Sequence, residues 1–164
     1  GDGAAEVIVA RAALADLPAI VGLERAGFEH AGWSADSWRG EIEADDRFVL
    51  LARSLAEDEV IGVATFQAVV DSADLHRVVV RADRRGQGVG RRLLRAGIEW
   101  AAAAGAERML LEVAVANVAA RRLYERLGFA PIAKRRDYYG AGLDAVVMSL
   151  ELRESWRETA WQDR

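Results

Sequence analysis

Three glycines, at 86, 88 and 90, stand directly between an apolar run at residues 75–80 and a stretch whose leucines recur at helical spacing. A strand that enters a helix through such a turn presents bare backbone N–H groups at the positive helix end, a geometry that holds phosphate. Arg84, Arg85, Arg91 and Arg92 add charge around it. A P-loop needs Gly-Lys followed by Ser or Thr, but Gly90 is followed by Arg91. A dinucleotide fingerprint counted from Gly86 or Gly88 needs a third glycine where Arg91 or Leu93 stands. Both are excluded. An anion site of another kind is favoured over the plainer alternative, a flexible turn with a solvated, arginine-rich helix start.

The rest of the chain alternates short β-runs with amphipathic segments. Val7, Ile8 and Val9 read as a strand. Asp16 with Pro18 reads as a helix start, because proline is tolerated in the first turn, and Ile20, Leu23 and Phe28 extend the stripe to about His30. Ser34 is the expected N-cap of a second short helix carrying Trp38 and Ile42. Strands are expected at residues 48–51, 60–70 and 75–80, with the acidic Glu57-Asp58-Glu59 in the turn before the second. A helix with Leu93, Leu94, Ile98 and Trp100 ends at Gly105, and a β-run follows at 109–115. Asn117 caps a helix holding Leu123, Tyr124 and Leu127. Strands from Phe129 and from Ala145 close the sequence of elements. The fold class is mixed α/β, one domain over residues 1–152 with a tail at 153–164 that carries Trp156 and Trp161.

Charge and composition remove several functions. The chain has 164 residues and a net charge of −4, but residues 1–80 hold 6 basic and 15 acidic side chains while residues 81–164 hold 16 and 11. A net-acidic protein is a poor general binder of nucleic acid or anionic membrane. The split leaves room for a local anion site in the second half and a cation-attracting surface in the first. There is no cysteine, which closes thiolate metal sites and an acyl-cysteine intermediate. Two histidines, His30 and His76, do not make a multi-histidine metal centre. No apolar run approaches the ~20 residues of a membrane span, and no charged-then-apolar leader is found, so a cytoplasmic protein is expected.

Three further residues carry candidate chemistry. Glu112 lies in the apolar run Met109-Leu110-Leu111-Glu112-Val113. A carboxylate there is costly to bury unless paired, and a raised pKa would suit a general base; the alternative is a Glu112 that faces solvent or pairs with an arginine. Asn117 is most simply an N-cap. Tyr124, on the Ala120/Leu123/Leu127 face, is most simply a core aromatic.

Arg85-x-x-Gly88-x-Gly90 after a strand, then Asn117-x-x-Ala120 and Leu123-Tyr124 leading to Leu127-Gly128-Phe129, resembles the GCN5-related N-acetyltransferase (GNAT) family. The resemblance covers residues 60–150 at good spacing and extends more loosely from residue 6. Trp33-Ser34, Leu111-Glu112-Val113, Arg136-x-Tyr138-Tyr139, Asp144-Ala145 and Met148 are similar to the branch that acetylates the N-terminal alanine of a small-subunit ribosomal protein. The resemblance implies a central mixed sheet of about seven strands flanked by about four helices, acetyl-CoA as cosubstrate, no metal, and a protein N-terminal peptide as acceptor. Main-chain groups of Val78, Val79 and Val80 would pair with the pantetheine arm. The turn of Arg85, Gly86, Gln87, Gly88, Val89, Gly90 and Arg91 would hold the pyrophosphate, and Asn117 would contact coenzyme A. Glu112 would be the base and Tyr124 the acid, with Trp33, Tyr138 and Tyr139 on the acceptor side. The chain departs from the pattern at four places: Ala114 for Arg, Ala116 for Ser, Gly32 for the Pro that usually precedes the Trp, and His76-Arg77 before the pantetheine strand.

An α-amino group has a pKa of about 7.7–8.0, so a modest base suffices to supply its neutral form. With no cysteine, direct transfer in a ternary complex is expected, with a backbone N–H near Val80 polarising the thioester oxygen. Two other readings stay open: acetylation of a small amine, and a catalytically silent acyl-CoA-binding module. Glu24, Glu29, Asp36, Glu41 and Glu43, around the presumed acceptor loop, are expected to attract a cationic acceptor.

Overall fold

The computed structural model describes residues 6–28 and 32–152; the expected tail at 153–164 and His30 lie outside the described residues. Eleven regular elements follow in the order expected. They are β1 (Val7–Arg11), α1 (Leu17–Gly27), α2 (Ala35–Glu43), β2 (Arg47–Ser54), β3 (Glu59–Val69), β4 (Ser72–Val80), α3 (Val89–Ala103), β5 (Arg108–Ala114), α4 (Val118–Arg126), β6 (Ala130–Arg135) and β7 (Ala145–Glu151). The seven strands form one mixed sheet in the order β1-β2-β3-β4-β5-β7-β6. No helix among the described residues is long and apolar enough to cross a membrane.

The chain divides into two compact units, Gly1–Gln67 with His76–Gly97, and Ala68–Leu75 with Ile98–Arg164. In the first, β2 and β3 are buried on both faces, which is why 48–52 and 60–64 read as apolar runs rather than alternating ones. Val49, Leu51, Val63 and Val79 join Leu17, Ile20 and Leu23 of α1 and Trp38 of α2 in one core. The opposite side of β3 receives α3. A Cβ at Gly97 would stand 2.1 Å from Phe66 Cζ, so only glycine lets the helix lie this close to the strand. In the second unit, β5 alternates, with Met109, Leu111 and Val113 buried and Leu110, Glu112 and Ala114 half-buried. Antiparallel pairing sets Glu112 opposite Val147 and Ala114 opposite Ala145.

The helix start read at Asp16 and Pro18 is observed: Asp16 occupies the N-cap position of α1 with Pro18 in the first turn, though its side chain makes no cap hydrogen bond. Its carboxylate accepts from the Ala13 amide at 2.8 Å and pairs with Arg53 at 3.5 Å, because a 3₁₀ turn at Leu14–Asp16 precedes the helix. The expected helix end is corrected: α1 stops at Gly27 rather than near residue 30. Further on, β4 begins at Ser72, three residues before the apolar run. Ser72, Ala73 and Asp74 pair in parallel with Arg108, Met109 and Leu110, since ladder bonds use backbone and do not need apolar side chains. Ser34 does cap α2, accepting from the Ser37 amide at 3.1 Å.

Candidate active site

The glycine turn lies in the first unit. After β4 the chain makes a 3₁₀ turn at Ala82–Arg84, passes Gly86 and Gly88 at φ +78° and +84°, and enters α3 at Val89. Left-handed φ at two positions in three residues requires glycine, and nothing stands within 4 Å of where their Cβ atoms would be. The turn is therefore open backbone at a helix start, the form that suits a pyrophosphate. Gly90 is already helical. Of the four arginines expected to charge this turn, two are committed elsewhere. Arg84 donates to Glu57 at 3.2 Å, and Arg92 donates to the carbonyl of Val7 at 2.6 Å. Arg91 is exposed at the turn, and Arg85 donates to the Val80 carbonyl at 3.2 Å. Arg81, just past β4, donates to Asp83, Glu57 and Glu59 at 2.6–2.8 Å and so ties the turn to the start of β3. Its bonds to Asp83 and then Glu57 hold its pKa above the usual arginine range. A cavity of about 260 Å³ is lined by Leu23 and Gly27 of α1 together with Val80, Arg81, Asp83 and Arg85. The side chain of Val79 belongs to the core, so of the expected pantetheine residues it has only main chain to offer.

Glu112, Asn117, Tyr124, Tyr138 and Tyr139 lie in the second unit. Glu112 points to the half-open face of β5, its side chain 28% exposed, with Arg135 Nε 3.4 Å away. The Tyr138 hydroxyl donates to it, and that bond, ahead of burial, raises the Tyr138 pKa. Glu112 is thus both partly exposed and paired with an arginine, the outcome its alternative reading expects. Sequence spacing had no signal for Arg135, which reaches Glu112 only because β6 and β5 flank β7. Tyr124 is buried and packs edge-on against Phe129 at 6.0 Å. Burial, and secondarily Tyr139, pushes its phenol up to about 12. A phenol so placed keeps its proton at neutral pH. Asn117 is the N-cap of α4, accepting from the Ala120 amide at 3.2 Å. Tyr138 and Tyr139 stack edge-to-face at 4.9 Å on a loop pinned by Asp137 and Asp144. Gly142 N donates to Asp137 at 2.7 Å, and Asp137 N donates to Asp144 at 2.8 Å. The Asp137 amide, with Lys134 3.4 Å away, holds the Asp144 carboxyl below its usual range.

The expected acidic surface around the acceptor loop is corrected. Glu24 is 1% exposed and accepts from Arg77 and Trp38. Glu41 is buried too, accepting from Arg47, Thr65 and His76. Burial raises the Glu41 pKa, and His76, Arg47 and Thr65 more than offset it, leaving it lowered. Carboxylates removed from water need such partners. Asp36 and Glu43 are exposed, and Glu29 lies outside the described residues.

Residues 17–129 match the model of the acetyltransferase (GNAT) family. The chain belongs to that family. GNAT members transfer acetyl groups from acetyl-CoA, and the chain is an N-acetyltransferase of this class. It is 35% identical over 141 residues to the [ribosomal protein bS18]-alanine N-acetyltransferase of Salmonella typhimurium, covering 84% of this chain and 92% of that one. The crystal structure of the ribosomal-protein-S18-alanine N-acetyltransferase of Escherichia coli is similar at TM-score 0.81 and 29% identity, over 89% of this GNAT chain and 94% of that one. A Salmonella typhimurium protein solved with its cofactor acetyl-CoA is similar at TM-score 0.76 and 25% identity, over 91% and 95% of the two chains.

Proposed function

We propose that this GNAT enzyme acetylates the N-terminal α-amino group of a protein in the cytoplasm, with the N-terminal alanine of a small-subunit ribosomal protein as acceptor. What carries the acceptor assignment is the similarity over nearly the whole of both chains to enzymes named for the bS18 alanine. The tyrosine pair beside Glu112 supports it.

The chemistry assigned to the residues is direct transfer. Acetyl-CoA supplies an acetyl group activated as a thioester. The open 86–91 turn receives its pyrophosphate, main-chain groups of Val78, Val79 and Val80 receive the pantetheine arm, and Asn117 adds a contact. A backbone N–H near Val80 donates to the thioester oxygen as charge develops on it. Glu112 takes the proton from the incoming ammonium, so that the neutral amine forms the N–C bond. As the C–S bond breaks, Tyr124 donates its phenolic proton to the sulfur. Trp33, Tyr138 and Tyr139 border the acceptor.

Coenzyme A release across N-terminal peptides, lysine peptides and small amines tests this reading. Alanine-starting peptides are expected to be turned over best; equal or better turnover of small amines would reverse the acceptor assignment. Glu112→Gln is expected to lower kcat by about 10²–10⁴-fold, the usual worth of a general base, while coenzyme A still binds. Undiminished turnover would remove the base.

A further inference from the structure

We infer that Arg77 and Glu24 are a positioning pair that fixes the aromatic wall of Phe28 and Trp33, and through it sets acceptor affinity. The inference rests on the reading of Trp33 as an acceptor-side residue. Glu24 sits on α1 with 1% exposure. Its carboxylate accepts from Arg77 Nε at 2.7 Å, from Arg77 Nη2 at 2.6 Å and from Trp38 Nε1 at 3.0 Å. That is a forked, charge-assisted pair between α1 and the strand residue just before Val78.

The guanidinium has a second occupation. Its carbon lies 4.4 Å from the centre of the Phe28 ring and 5.4 Å from that of Trp33, within cation–π reach of both. Trp33 in turn lies 5.0 Å from the buried Trp38 ring, whose N–H holds the same carboxylate. One Glu24–Arg77 pair therefore anchors the aromatic residues on either side of 29–31. Stability alone is a weak reason to keep it, since an apolar replacement of a buried ion pair is often neutral or better. Phe28 is 40% exposed, so the wall faces outward and is not simply core.

Two departures from the family pattern become one feature here. A Cβ at Gly32 would come 2.9 Å from Glu24 Oε2 and 3.0 Å from the Phe28 carbonyl. The usual proline before Trp33 therefore does not fit beside a carboxylate turned to receive Arg77. Gly32 and Arg77 are coupled through Glu24.

The test compares Arg77→Leu, Arg77→Lys and Gly32→Ala with wild type, using the best acceptor from the panel. Lysine keeps the charge but loses the fork and the planar stacking face. Alanine at 32 removes no charge and presses on the carboxylate and on the Phe28 main chain. Acceptor KM is expected to rise about fivefold to tenfold in Arg77→Leu, the equivalent of one lost cation–π contact. It rises less in Arg77→Lys and Gly32→Ala, and the KM for acetyl-CoA stays unchanged in all three. A second readout needs no acceptor: the fluorescence difference between a protein and its Trp33→Phe derivative is expected to shift in the Arg77→Leu background. An unaltered Trp33 signal, or an unaltered acceptor KM in folded Arg77→Leu and Gly32→Ala, overturns the pair. If small amines prove the better acceptors, the peptide assignment fails while the pair is still scored on the amine.

Discussion

The buried phenol of Tyr124 makes a quantitative demand on the pH dependence of this enzyme. An acid works only while protonated. With its pKa pushed up to about 12 by burial and then by Tyr139, Tyr124 is ~99% protonated at pH 10, where a phenol of ordinary pKa, about 10, would be half ionised. The rate is therefore expected to rise as the acceptor amine loses its proton, through about pH 8, and then to hold level to pH 10. The measurement is thiol release at saturating acetyl-CoA from pH 6 to 10. Full recovery of activity on return to pH 8 shows that the protein survived.

Tyr124→Phe completes the test, because it keeps the ring that packs on Phe129 and removes only the hydroxyl. It is expected to lower kcat by about 10²–10⁴-fold, the typical range for an acid or base, with little change in coenzyme A binding. Two results would refute the reasoning. One is a wild-type kcat that halves near pH 10 by a step absent from Tyr124→Phe, which would place the phenol in a solvated setting. The other is a Tyr124→Phe enzyme with undiminished kcat.

Gly97→Ala is expected to destabilise by about 1–3 kcal/mol, the range for an overpacked core, because the new methyl meets the fully buried Phe66 ring; alanine is the better helix former by about 1 kcal/mol, so a raised Tm would show that the contact yields easily. Asn117→Ala should cost about 1 kcal/mol of stability through the lost cap. It should also weaken coenzyme A binding by calorimetry, and a stability loss without any change in affinity leaves the residue as a cap alone. Glu41 has a folded pKa below its ordinary value, so its contribution to stability is present above that value and disappears as pH falls through the lowered one. Urea unfolding of wild type and Glu41→Gln should differ at pH 7 and converge as pH falls below the ordinary carboxylate range, and a gap that stays constant with pH would exclude the linkage.

The order of elements was legible because each helix and strand announces itself locally: doubly buried strands as apolar runs, helices by their spacing, caps by Ser34 and Asn117. The first three residues of β4 were not, since the backbone pairing of Ser72, Ala73 and Asp74 with β5 leaves no apolar mark in the sequence. Asp16 and Pro18 marked the start of α1, but not that the Asp16 carboxylate goes to the Ala13 amide and Arg53. At the candidate site, the glycine turn and Glu112 could be named from type and spacing. Their neighbours could not. Arg135 is 23 positions from Glu112 in sequence and reaches it through strand order, and Arg81 gathers Glu57, Glu59 and Asp83 only once β3 and β4 lie side by side.

The same distinction settles what charge composition can say. An excess of acid in residues 1–80 suggested a surface that draws in cations, yet Glu24 and Glu41 are buried, and Glu57 and Glu59 neutralise arginines beside the turn. These four carboxylates therefore hold the first unit together and project little field. The arginines near the turn divide in the same way: Arg81 and Arg84 serve the carboxylates, which leaves the open backbone at Gly86 and Gly88, with exposed Arg91, as the part suited to an anion. A cofactor cradle made of backbone, as proposed for this turn, leaves arginines for other work. Arg77, turned inward to Glu24 from the strand that precedes the turn, does such work closest to the proposed acceptor wall.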